Sequence, residues 1–353
     1  MKSIFVHQLL SNKRVRSMRT IREQETYLFI KRIQAQPPSH PVNLTEMFSE
    51  FAYNGIYKST FGWKQGWSDN GRVFSALMTE FMDVLGTISI GDFVPWLSWV
   101  TRVNGFDKRV DAVFKRLDGF LEEVIEEHLK GDNDCDLSDE NGESFVDILI
   151  HYLKENTNCG DTISAVLEWI MVELLRHPKV MERLMTQVRQ TIKHNIITDD
   201  DLREMHYLKA VIKESLRFHP PKPLLVPRVA REDVKVKGYK VKAGTIVMTN
   251  VWAIGMDPTC WVEPEKFEPE RFLGSKIDFR GLDFELIPFG AGRRGCPGIT
   301  FSMAAVELVV ANIIDKFDWE LARGEDMDTR ERFGGTVRRA KPLLAVATQV
   351  ITK

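Results

Sequence analysis

The chain lacks any long apolar run. None of its 353 residues sit in a segment approaching the roughly 20 apolar residues that span a bilayer, and no signal peptide opens it. Cysteine is scarce: Cys135, Cys159, Cys260 and Cys296 lie far apart. They form no Cys-x-x-Cys pair and no disulfide framework, which fits a reducing, cytosol-facing compartment. Charge of one sign is not in excess. Lys and Arg number 48 against 50 Asp and Glu, for a net charge of −2, so nucleic acid is excluded as the main partner. Internal repeats and low-complexity linkers are absent. No Gly-rich dinucleotide fingerprint or flavin module is present, so redox chemistry here needs electrons from another protein. Asn43-Leu44-Thr45 fits a glycosylation triplet, but without a secretion signal it is incidental.

Apolar residues make up 43% of the chain, enough for one large core and a single domain over residues 1–353. Helical periodicity predicts helices over residues 4–35, 44–60, 71–85 and 106–130, and again over 145–153, 163–176, 178–193 and 207–218. Lys13, Arg14, Arg16, Arg19 and Arg22 read as the solvated face of the first helix, which Pro37-Pro38 ends. Residues 88–97, apolar and broken by Gly91 and Pro95, read either as a loop against the core or as a surface for membrane contact, burial being favoured. Thr198-Asp199-Asp200-Asp201 resembles a capping box. Residues 234–241 alternate about Gly238 as a β-hairpin, 245–251 read as a third strand, 257–286 as irregular, 297–317 as helix and 343–350 as terminal strand. The fold class is mainly α with a smaller β part.

The densest chemistry lies in residues 289–298, Phe-Gly-Ala-Gly-Arg-Arg-Gly-Cys-Pro-Gly. One thiol is crowded by glycines that let backbone pass close to a flat group and aim N–H groups at sulfur. Pro297 suits the first turn of the next helix, whose positive end favours a thiolate. Arg294 can pair with a carboxylate. The ordinary alternative is a turn holding a buried structural cysteine.

The spacing Phe289, Gly292, Arg294, Cys296, Gly298 matches all five fixed positions of Phe-x-x-Gly-x-Arg-x-Cys-x-Gly. The chain thereby resembles the cytochrome P450 haem-thiolate monooxygenases, and among them the plant type that acts on small specialised (secondary) metabolites. The resemblance implies a P450-like fold, haem b (iron protoporphyrin IX) as cofactor and Cys296 as axial iron ligand. It implies an apolar small molecule and O2 as substrates, and NADPH-cytochrome P450 reductase as electron donor. Glu214, Arg217 and Arg271 would form a buried network under the Cys loop, and Arg228 would join Arg294 on the haem propionates. Pro223, Leu224, Leu225 and Val226, with Thr336 and Val337, would line the pocket. In Asn158-Cys159-Gly160-Asp161-Thr162, the acid and alcohol correspond to a proton-relay pair. Residues 156–160 are turn-like, so Asp161 or Thr162 can equally be read as the N-cap of the following helix.

Family members are longer. By resemblance this chain starts within an early helix, with Lys2 at the place of a propionate-binding Arg, and lacks the membrane anchor, the first sheet strands and half of the helix over the haem. Two readings therefore stand together: a working monooxygenase, and an inactive truncated remnant that at most binds haem. The family resides on the cytosolic face of the endoplasmic reticulum; without its anchor, the chain is expected to be soluble or peripheral.

Overall fold

The computed structural model describes residues 10–37, 39–61, 68–87, 96, 99–130, 159–191 and 196–350. These gather into two compact units, one of the described residues within 10–16, 169–320 and 349–350, the other of those within 17–168 and 321–348. Among the described residues, no helix is long and apolar enough to cross a membrane.

In the second unit the helices Arg19–Gln34, Leu44–Phe61, Ser68–Gly86 and Phe106–Lys130 pack in succession. Aromatic rings fill the space between them. Phe29 stacks on Phe48 at 5.5 Å between centroids, and Phe74 meets Tyr53, Tyr57 and Phe120 at 6.2, 5.5 and 5.9 Å. Such pairs add roughly 0.5–1.5 kcal/mol each beyond the area they bury. The strand Pro41–Asn43 pairs antiparallel with Leu344–Gln349, Val42 opposite Ala345. A short ribbon joins Glu331–Arg332 to Arg338–Arg339. Residues 159–168 of the helix Cys159–Arg176 also belong here.

The first unit is built on the helices Pro178–Thr191, His206–Phe218 and Ile299–Lys316, which contact one another pairwise. His206–Phe218 buries Leu208, Val211, Ile212 and Leu216, an apolar stripe at helical spacing. It stops because Pro220 has no N–H to donate and disfavours helical backbone at His219, which lies at φ −124, ψ 68. The hairpin expected at residues 234–241 is present, Val234 opposite Val241. Its turn uses Lys237 and Gly238, both in the left-handed region, as a two-residue hairpin turn requires.

Several elements differ from the sequence expectations. The first helix is broken at Met18 into Asn12–Ser17 and Arg19–Gln34, and Arg22 is buried, not solvated. The third strand shrinks to Ile246–Val247, paired with Arg228–Val229. Asn250 ends it by accepting the N–H of Ala253 at 2.9 Å, capping a short helix Val251–Gly255. The capping box at Thr198 is half-formed: the Asp201 carboxylate accepts both the Thr198 N–H and its hydroxyl at 2.8 Å. Trp96 is 79% exposed where burial was expected; the rest of residues 88–98, save the helical start at Trp99 beyond them, lies outside the described residues. So do Lys2, Cys135, the loop expected over 131–142 and the helix expected over 145–153.

Candidate functional site

Cys296 lies three residues before the helix Ile299–Lys316, with Gly298 as that helix's N-cap. Pro297 therefore precedes the helix and is not in its first turn, two residues off the expected boundary. The loop turns on Gly290 and Gly292, at φ +69 and +65, where an L side chain is strained. It then makes one 3₁₀ turn, Gly292–Arg294. The Cys296 N–H donates to the Phe289 carbonyl at 2.9 Å, which closes the loop. The Gly298 N–H donates to Cys296 Sγ at 3.3 Å. Sulfur thus meets an N–H and the positive end of an 18-residue helix, both of which favour a thiolate. Cys296 is half-buried and in no disulfide.

Arg228 comes to this loop from the ribbon that precedes the hairpin. A side chain placed on Gly290 would meet Arg228 Nη2 at 3.8 Å and Leu225 Cδ1 at 3.5 Å. Arg294 leaves the same loop. Among the described residues neither guanidinium has a carboxylate within ion-pair distance, and both are exposed. Two cations without protein counter-charges among the described residues thus lie on or against the loop that carries the Cys296 sulfur. That donor set suits a group with a thiophilic metal and two carboxylates. Leu224 and Val226 are exposed in this unit, and Thr336 and Val337 are buried in the other.

In the same unit, Glu214, Arg217 and Arg271 meet. Arg217 donates to both Glu214 oxygens, at 2.7 and 2.8 Å, with neither side chain exposed. It also donates to the carbonyls of Gly255, Pro264 and Lys266 at 2.6, 2.8 and 3.1 Å. Arg271 Nε reaches Glu214 at 3.1 Å, and the Glu268 N–H reaches it at 2.7 Å. The carboxylate is therefore saturated with donors, and the irregular segment 255–271 is tied to one helix.

A second buried carboxylate was not singled out from the sequence. Glu173 accepts from His219 at 2.8 Å and from Arg176 at 2.8 Å, with His177 Nδ1 3.2 Å away. Burial pushes its titration upward, but the hydrogen bond and charge of His219, helped by Arg176, outweigh this, so the net shift is downward. The His219 ring stacks on Trp169 at 3.9 Å.

Asp161 and Thr162 lie in the first turn of the helix Cys159–Arg176. The helix begins at Cys159, so neither residue is its N-cap. Asp161 is buried and pairs with Arg338. No sequence feature pointed to Arg338, which is 177 residues away.

The sequence model of the family described as Cytochrome P450 matches residues 1–346. Cytochrome P450 71A8 of Mentha piperita is 53% identical over 99% of this chain and 73% of its own length. The (+)-menthofuran synthase of Mentha piperita is 39% identical over 98% of this chain and 73% of its own, and the tabersonine/lochnericine 19-hydroxylase of Catharanthus roseus 42% over 99% and 74%.

Proposed function

The chain belongs to the cytochrome P450 family of haem monooxygenases, and from that premise we propose that it inserts one oxygen atom of O2 into an apolar small molecule, with Cys296 as the iron ligand. The observation that carries this reading is the Gly298 N–H directed at Cys296 Sγ at the head of a helix. When bound, haem b supplies the iron at which O2 is activated, and a thiolate ligand favours O–O cleavage.

The chain's own residues divide the remaining work. The Gly298 N–H and the helix end stabilise the sulfur as an anion. Arg228 and Arg294 hold the carboxylates of the porphyrin. Glu214, Arg217 and Arg271 support the Cys loop, while Phe289, Gly292 and Gly298 shape it. Asp161 and Thr162 pass protons inward. The reaction balances as substrate C–H plus O2, two electrons and two protons, giving C–OH and water. NADPH-cytochrome P450 reductase supplies the electrons at the cytosolic face of the endoplasmic reticulum. Two plant relatives, a (+)-menthofuran synthase and a tabersonine/lochnericine 19-hydroxylase, support oxygenation of a small plant metabolite.

The test is the reduced carbon-monoxide difference spectrum of the whole chain expressed with haem. The expected result is a red-shifted Soret band that Cys296→Ser removes. A band at the position of non-thiolate haem would overturn the assignment of Cys296. Turnover with reductase and NADPH then separates a working monooxygenase from a remnant that only holds haem.

A further inference from the structure

The Asp161 carboxylate is not left to find its own position. Arg338 Nη2 pairs with Asp161 Oδ1 and donates to the Asp161 carbonyl at 3.1 Å and to Ser164 Oγ at 2.6 Å. Its other terminal nitrogen, Nη1, donates to Ser49 Oγ at 3.2 Å. Ser164 in turn donates to the Asp161 carbonyl at 2.9 Å. The pair is largely desolvated, with side chains 15% and 6% exposed. Oδ2 accepts no hydrogen bond from any described residue. One oxygen is anchored and the other is open to a proton or a water. The backbone behind the acid is fixed as well: a side chain on Gly160 would meet the buried Tyr53 ring at 2.6 Å.

Arg338 begins the short strand Arg338–Arg339, directly after Thr336 and Val337, both buried. The guanidinium therefore links the strand that follows Thr336 and Val337 to the first turn of the helix that carries the acid.

We propose that Arg338 is the positioning residue of the proton relay: it fixes Asp161 by Oδ1 so that Oδ2 is presented for proton transfer. This rests on the monooxygenase reading above. The consequence concerns coupling. With protons delivered correctly, O2, two electrons and two protons yield hydroxylated product and water. With a misplaced acid, the same two electrons and two protons leave as hydrogen peroxide.

Two measurements test it. The first is unfolding in urea of the whole chain carrying Arg338→Gln, Asp161→Asn or both. Each single change is expected to lower the folding constant by roughly 150-fold or more, as when a buried pair loses one member, and the double change by much less than the product of the two. Additive losses would overturn the pairing. The second is product and peroxide per NADPH consumed, at equal haem loading and an unchanged carbon-monoxide band. Arg338→Gln is expected to lower product per NADPH about tenfold with KM for substrate unchanged, an effect in the range of one lost proton-transfer group. Arg338→Lys should recover most of it, because an ammonium can still hold one oxygen. A parent-like product ratio in Arg338→Gln, or no recovery in Arg338→Lys, would overturn the positioning role. If the parent gives no thiolate band, the monooxygenase reading fails, and the relay with it. The urea cycle then decides separately whether the two residues act as a pair.

Discussion

Removing the Glu214 carboxylate should be among the most damaging single changes in the first unit. Glu214→Ala deletes the acceptor of four hydrogen bonds: two from Arg217, one from Arg271 and one from the Glu268 N–H. The Arg217 side chain stays where it is, fully buried, and keeps three carbonyl partners. Carbonyl dipoles do not replace a counter-charge in a desolvated site. Breaking a buried pair by removing one partner costs about 3–5 kcal/mol, against a total margin of about 5–15 kcal/mol for a native protein. Glu214→Gln keeps the shape but turns an amide donor toward guanidinium donors, so it should lose a comparable amount. The assay is the urea midpoint followed by tryptophan fluorescence, with haem uptake measured in parallel. Uptake should fall with stability, because the network supports the segment that carries Arg271. Replacing both partners, Glu214→Gln with Arg217→Met, should lose less than the sum of the single changes, since no charge is then stranded. If both Glu214 variants stay within about 0.5 kcal/mol of the parent, as ordinary surface changes do, the network is ornamental and the reasoning fails.

Two further outcomes follow from other buried groups. Glu307, on the helix after the Cys loop, is pushed up to about 7, burial being the main cause. Its folded form therefore binds a proton more tightly than its unfolded form, so stability should fall as pH rises from the ordinary glutamate value to about 7. Glu307→Gln should flatten that slope in urea titrations between pH 4.5 and about 7, the interval set by the shift, and an unchanged slope would count against the assignment. Gly86 packs so closely that a β-carbon would lie 2.2 Å from the backbone of Gly334 and Gly335. Gly86→Ala must move main chain and should lower stability by about 1–3 kcal/mol, as overpacking does; a melting temperature equal to the parent's would show that the loop at Gly334 yields freely.

What the sequence disclosed depended on how far apart the interacting residues lie. The Cys loop could be read from ten consecutive residues because glycine, proline and arginine impose its turns and its charge locally. Glu214 and Arg217 sit on one helix face by spacing alone, and Pro220 announces the helix end. The helix Phe106–Lys130 matched to the residue because its apolar repeat is regular over 25 positions. The third strand was overread at its end because Asn250, a good N-cap, was not weighed against the run of β-branched residues before it. The break at Met18 carries no Pro or Gly signal, so periodicity ran straight through it. Arg22 was placed on a solvated face by counting basic residues, although it falls on the side of its helix that also buries Thr26 and Phe29.

Arg338 shows where local reading stops. Within Val337-Arg338-Arg339-Ala340 it is one of two adjacent arginines in a short strand, and nothing nearby distinguishes them. Its partners are 177 and 289 residues away in sequence, and the Thr45 hydroxyl accepts the Leu343 N–H across 298. The contacts of the Glu214 network span far less: 3 residues from Arg217 to Glu214, 57 from Arg271 to Glu214 and 38 from Arg217 to Gly255. Loop-closure entropy separates these two classes only weakly, at about 0.6 kcal/mol for each doubling of span. The long-range contacts are therefore illegible because no local pattern encodes their partners, and not because they are intrinsically feeble. The same separation bears on the chemistry. The loop around Cys296 is specified by contacts within residues 289–298. The acid side requires residues 49, 161, 164 and 338 to converge from distant parts of the chain. Long-range pairing slows folding more than it alters stability. Haem held by Cys296 with a poor product yield would thus be the natural phenotype of incomplete assembly around Asp161, and the ratio of product to peroxide reports that assembly more directly than the haem spectrum does.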